Sequence, residues 1–256
     1  MILNAIDTGQ GDPPLVLLHG LFGSARNFGS VQRELAKRRR TIALDLPNHG
    51  ASPHVSDMRY AAMAENVLET LGSLSTLPAT LLGHSMGGKV AMLLALTRPD
   101  AVARLIVADI APVAYPPHHR AIAAAMAAMP LSPGMTRAQA DEALAEAVPD
   151  AGMRAFLLQN LQLGAKPGWR IGLREIVAAL PSIESWEAPP NASYPGPTLF
   201  VAGARSDYIQ SSYRPAIRSM FPRARFVTLK DAGHWLHADN PSGFIGVVEA
   251  FLTAAA

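Results

Sequence analysis

The sequence contains no cysteine. That excludes disulfides, thiolate metal sites and a cysteine nucleophile, and it is compatible with a reducing compartment. It also lacks a strong charge of either sign. The formal net charge is +2, which leaves no electrostatic footprint for nucleic acid. No long apolar run is present either. The Ala/Met-rich stretch from Ala121 to Met129 is well short of the roughly 18 apolar residues that a membrane span needs. The start, Met1-Ile2-Leu3-Asn4-Ala5-Ile6-Asp7, has neither a basic region nor an apolar core of the signal type. Glycine and proline, at 20 and 21, are too few for a collagen-like or low-complexity chain. The expectation is a soluble cytoplasmic protein with no nucleic-acid or membrane partner, a monomer or a small homo-oligomer.

What is present is a globular chain of 256 residues, 49% hydrophobic, enough for one large domain with a core that needs no covalent staples. Short apolar runs alternate with helical patterns. Leu15–Leu18, Thr41–Asp45, Ala79–Leu82, Arg104–Asp109, Thr198–Gly203 and Arg225–Leu229 have the length and branching of strands. Helical periodicity lies near 26–38, 59–73, 86–97, 212–221 and 241–252. This alternation predicts an α/β fold with a mostly parallel sheet and helices on both faces. Between Asp109 and Thr198 the rhythm breaks into Ala-rich helical sequence with no convincing strand. That stretch is too long for a connection. We read about 115–190 as a helical cap inserted into a single domain spanning 1–256.

Gly83-His84-Ser85-Met86-Gly87 fits G-x-S-x-G, and its setting gives the pattern meaning. An apolar strand ends at Gly83 and an apolar helix begins at Met86. The sharp turn between them exposes the Ser85 hydroxyl, and the small flanking residues relieve crowding. The bland alternative is a Gly-rich turn with a capping serine. A phosphate-binding loop is a second rival, since Gly83 to Lys89 approaches G-x-x-x-x-G-K-[ST], but Val90 stands where a hydroxyl should hold magnesium.

A serine hydroxyl needs a base. Of the eight histidines (His19, His49, His54, His84, His118, His119, His234 and His237) His234 is the best placed, since it follows the last predicted strand in Asp231-Ala232-Gly233-His234-Trp235. His237 is its nearest competitor. His84 points away from the hydroxyl on such a turn. His118-His119 reads as an exposed loop pair without metal-ligand spacing. The acid that orients the base is Asp109 or Asp207, each after a predicted strand. Asp109 is preferred because Asp207 stands one residue beyond the usual position, which Ser206 occupies. The amides of Leu21 and Met86 are the candidate oxyanion donors, with His19 bracing the loop that carries Leu21. Phe22, Met126, Met129, Phe156, Leu157, Leu161, Trp186 and Trp235 are candidate pocket lining. No metal or cofactor is implied.

Six segments, in order along nearly the whole chain, resemble α/β-hydrolases of the YbfF-like bacterial esterase group. They are Leu18-His19-Gly20-Leu21-Phe22-Gly23-Ser24, Asn48-His49-Gly50-Ala51-Ser52-Pro53, Gly83 to Lys89, Asp109-Ile110-Ala111-Pro112-Val113, Phe156-Leu157-Leu158-Gln159-Asn160 and Gly233-His234-Trp235-Leu236-His237-Ala238. Pro47 departs from the group, in which arginine is common there. The resemblance implies an eight-stranded sheet, a helical cap, no cofactor and Asp109 as the acid. The expected activity is hydrolysis of small or medium acyl esters through an acyl-enzyme on Ser85. A thioesterase, lactonase or carbon–carbon bond hydrolase with the same residues is the enzymatic alternative, and a hydrolase-fold binding protein the non-enzymatic one.

Overall fold

A computed structural model describes residues 1–254; Ala255 and Ala256, the last two positions of the expected single domain, lie outside the described residues. The strands are β1 (Ala5–Thr8), β2 (Leu15–Leu18), β3 (Thr41–Leu44), β4 (Ala79–His84), β5 (Val102–Ala108), β6 (Leu161–Gln162), β7 (Gly168–Trp169), β8 (Thr198–Gly203) and β9 (Ala224–Leu229). Seven of them form one sheet in the order β1-β3-β2-β4-β5-β8-β9. Only β1 runs antiparallel, paired with β3 at the edge. The expected eight strands are therefore corrected to seven in this sheet. The six strands expected from apolar runs are its parallel members. β6 and β7 form a separate antiparallel pair, the only strands within the cap and a correction to its expected all-helical character.

Strand periodicity divides the core in two. Val16, Leu18, Ile42, Leu81, Leu105, Val107 and Phe200 face one side, where α2 (Tyr60–Ser73) and α3 (Met86–Thr97) pack. Leu15, Leu17, Ala43, Leu82, Ile106, Leu199 and Val201 face the other, under Val31 and Leu35 of α1 (Gly29–Leu35) and Phe244, Val248 and Phe251 of the helix Pro241–Thr253. Central strands buried on both faces read as continuous apolar runs, which is why they stand out in the sequence.

After β5 the chain leaves the sheet and returns at β8. The excursion carries four helices, Arg120–Ala128, Arg137–Leu144, Ala151–Leu158 and Leu173–Glu184. Their buried faces, among them Ala123, Met126, Leu144, Leu157 and Ile176, join the same apolar cluster as α2 and α3. The excursion thus roofs the carboxyl ends of the parallel strands, where the loops that follow β2, β4, β5, β8 and β9 converge.

Candidate active site

Ser85 sits between β4 and α3 with φ 52° and ψ −120°, a conformation that L-residues rarely adopt. The turn is possible only because glycine stands on both sides of it, where backbone passes close by. A Cβ on Gly83 would lie 2.2 Å from the Gly87 carbonyl oxygen, and one on Gly87 would lie 2.3 Å from that of Leu18. The strain lifts the Ser85 hydroxyl toward His234, whose Nε2 is 3.1 Å from Ser85 Oγ. On the other side of the ring, His234 Nδ1 lies 2.8 Å from Asp109 Oδ2.

Asp109 is fully buried at the end of β5, also with positive φ (52°). Its Oδ1 accepts from the Gly203 amide at 2.9 Å, and its Oδ2 accepts from the Ser206 hydroxyl as well as from His234. Three donors thus hold one carboxylate in place. Asp207 is exposed and makes no bond to His234; it faces a groove with Tyr115, His118 and Tyr213. Ser206, in the position expected for an acid, instead supports Asp109. The Tyr208 ring stacks on His234 at 4.1 Å, a contact that nothing in the sequence marks.

Gly20 packs directly on the turn, where an added Cβ would lie 3.2 Å from Ser85 Cβ. That brings Leu21 alongside Ser85. Neither the Leu21 nor the Met86 amide donates to another group among the described residues, so both are free to meet an oxyanion. Two neutral imidazoles brace this loop. His19 accepts from the Leu46 amide at 2.9 Å and donates to the Gly20 carbonyl at 2.8 Å. His49 accepts from the Phe22 amide at 3.1 Å and donates to the Pro47 carbonyl at 2.8 Å. Asn160, from the cap, donates to the Phe22 carbonyl at 2.7 Å, so the Phe22 residue is held at both ends in its left-handed conformation (φ 60°).

The remaining histidines divide by burial. His84 turns away from Ser85 and donates to the His234 carbonyl at 2.7 Å, which anchors the His234 loop. His237 packs on Phe28 and His84. His118 is exposed, as expected, but His119 corrects the expectation: it is half-buried and lines both cavities that border Ser85. Burial lowers the pKa of His49 to about 3, and of His237 and His119 to about 4 each; it lowers those of His19 and His84 too.

These shifts predict acid lability. Unfolded histidine takes up protons below about 6.5, whereas these folded histidines do not, so their stability contribution is complete above that value and is lost as pH falls toward 3–4. By pH 5 the two nearly inaccessible ones, His49 and His237, should each have given up about 2 kcal/mol. Urea unfolding at pH 7.5 and pH 5 measures the difference, and equal stabilities would refute the neutral-histidine assignment.

The larger cavity beside Ser85 is lined by His234, Trp235, Phe22, Phe156, Met153 and Ile122, among others. Three lining expectations, Phe22, Phe156 and Trp235, fall on its wall. Met126 and Met129 do not. Both are buried in the packing of the cap against the core, and Met126 also accepts from Trp169 through its carbonyl. Leu157 and Leu161 are likewise core. Trp186 stands behind Tyr60, with ring centroids 6.2 Å apart, and is not on the wall. The sequence signal was apolar character alone, which does not separate the inner face of a cap helix from its packing face. Ile122 and Met153 were missed for the same reason, and His119 because it was read as an exposed loop residue. Among the described residues no group of three or more His, Asp or Glu side chains could hold a metal ion, and no helix is long and apolar enough to cross a membrane.

A strained serine after a central strand, a histidine on the last strand's loop and a buried carboxylate between them on a doubly covered parallel sheet are the features of α/β-hydrolases. The chain belongs to that family: the alpha/beta hydrolase family profile matches residues 15–247. Among its relatives, the sn-1-specific diacylglycerol lipase ABHD11 of Mus musculus is 43% identical, over 97% of this chain and 84% of that one. Esterase YbfF of Escherichia coli is 37% identical, over 95% and 94%. A solved marine microorganism esterase superposes with a TM-score of 0.94 at 36% identity, over 98% of this chain and 99% of that one.

Proposed function

We propose that this protein is a serine carboxylic ester hydrolase of small or medium acyl esters. The observation that carries the reading is the continuous hydrogen-bonded chain Ser85–His234–Asp109, open to a cavity on the Ser85 side. Ser85 Oγ attacks the acyl carbonyl while His234 Nε2 takes its proton. The carbonyl oxygen becomes an oxyanion held by the Leu21 and Met86 amides. Asp109 keeps the Nδ1 proton in place and balances the imidazolium. Collapse of the intermediate breaks the ester bond, and His234 returns the proton to the departing alcohol. Water, activated by the same imidazole, then releases the acid and restores Ser85. Named esterases and lipases among relatives at 37–43% identity support the reading.

The leaving alcohol must reach His234 to be protonated. Of the two cavities that meet at Ser85, only the larger is lined by His234, which supports it as the alcohol side. Phe156 and Trp235 then limit the alcohol's length. In a series of alkyl acetates followed by pH-stat, the wild type should turn over the short members. Phe156→Ala should shift preference to longer ones, by about 1 kcal/mol for each methylene newly accommodated. Trp186→Ala should lower stability and leave the alcohol preference in place. Absence of turnover for every ester by folded protein would reject the function, and an unchanged preference in Phe156→Ala would reject the pocket.

A further inference from the structure

The smaller cavity also borders Ser85, with a largely separate set of lining residues. It shares Leu21, Ser85 and His119 with the first but lacks His234. An acyl group whose carbonyl oxygen meets the Leu21 and Met86 amides, and whose alcohol lies beside His234, has this cavity left to occupy. Part of its wall is apolar, with Met86, Ile110 and Ile183, and part carries polar groups.

Lys89, one turn along α3 from Ser85, is only 2% exposed. Its ammonium donates to the Ser185 carbonyl at 2.7 Å and lies 5.4 and 5.0 Å from the Tyr60 and Tyr115 ring centres. No carboxylate among the described residues comes within 4.0 Å of it. A lysine ammonium has three donors, and only one is used. Burial lowers its pKa to about 7. Glu184, which lines the same cavity, is 6% exposed. Its Oε2 pairs with Arg120 at 2.8 Å, but its Oε1 is buried without a partner. Only five buried side-chain polar atoms among the described residues lack a partner, and two of them, Glu184 Oε1 and His119 Nδ1, belong to residues on this wall. Buried polar atoms are otherwise almost always paired, so their concentration here points to a ligand group.

The setting is fixed. Tyr60 donates to the Ile183 carbonyl at 2.6 Å, and the Tyr115 amide donates to the Glu184 carbonyl at 2.8 Å. The end of the last cap helix is thereby tied to α2 and to the start of the cap. A purely apolar acyl chain would leave both the spare lysine donor and the carboxylate acceptor unmatched. A carboxylate would match the lysine but face Glu184. A group that accepts from one and donates to the other satisfies both.

We propose that this cavity is an acyl subsite that seats an aliphatic hydroxyl, whose oxygen accepts from Lys89 Nζ and whose proton is donated to Glu184 Oε1, so that the preferred substrates are short hydroxyacyl esters. The inference rests on the hydrolase reading above. A site built to hydrogen-bond a substrate hydroxyl discriminates against the analogue that lacks it, because its own polar groups are then left unpaired.

The test compares ethyl esters of short hydroxy acids with isosteres in which a methyl replaces the hydroxyl, the hydroxyl being moved one carbon at a time along the chain. At one position the wild type should favour the hydroxy ester in kcat/KM by at least about tenfold. Lys89→Met and Glu184→Gln should each reduce that ratio toward one. Glu184→Gln is close to isosteric and decides the matter should Lys89→Met fail to fold. A wild-type ratio near one at every position overturns the subsite while ester turnover keeps the hydrolase reading intact. A ratio that survives in folded Glu184→Gln also overturns it. If the wild type cleaves no ester of either series, the hydrolase reading falls and the subsite with it.

Discussion

Replacing Ser85 with alanine should reduce ester turnover by about four decades or more while leaving the fold intact. Losing one member of a serine–histidine–aspartate set removes nearly all of its covalent catalysis, because the members act as a unit, and what remains comes from the oxyanion donors and binding. Ser85 is 8% exposed and occupies a strained turn, so the smaller alanine fits without clash. Alanine also tolerates the positive φ no worse than serine does. Purified Ser85→Ala should therefore show wild-type circular dichroism and a turnover close to the buffer background. A rate within tenfold of wild type would remove Ser85 from the mechanism.

The second large effect concerns the acid. Asp109→Asn should lower turnover by about four decades, because an amide in place of Oδ2 offers His234 a donor where it needs an acceptor and so favours the wrong tautomer. The bond from the Gly203 amide can survive on the remaining oxygen, so the fold should persist. Asp207→Asn should cost tenfold or less, since that side chain is exposed and makes no bond to His234. Steady-state kinetics of the two variants decide between them. The opposite ranking would transfer the role to Asp207. Comparable partial losses in both would show that two carboxylates serve one imidazole.

How much of this was legible in the sequence depended on the physical signal each part leaves. The parallel strands were, because burial on both faces makes Leu15–Leu18 or Thr198–Gly203 apolar throughout. β1 was not: Ala5–Thr8 lies at the sheet edge, is half exposed, and has neither an apolar run nor a regular alternation. The β6–β7 pair was invisible because two residues per strand carry no period. Ser85 and His234 were legible because their chemistry is tied to chain position, a strand end in each case.

Asp109 was harder to single out, since two aspartates follow strands. Its bond to His234, and its support by Ser206 from the other candidate loop, are tertiary. The cap wall was the least legible. Met126 and Phe156 have the same apolar character, yet one packs inward and the other faces the cavity. Lys89 appeared as part of a failed phosphate-loop pattern and at the end of the Gly83 to Lys89 segment, with no role of its own. Its burial against Tyr60, Tyr115 and Ser185 joins three distant segments and leaves no trace in local sequence.

The most direct test of the central claim, that Ser85 is an activated nucleophile, is the intact mass of the protein after incubation with a fluorophosphonate, followed by peptide mapping. The account predicts one adduct per chain, located on Ser85, absent from Ser85→Ala and strongly slowed in Asp109→Asn. An unmodified wild-type protein, or an adduct mapped to any other residue, would contradict it.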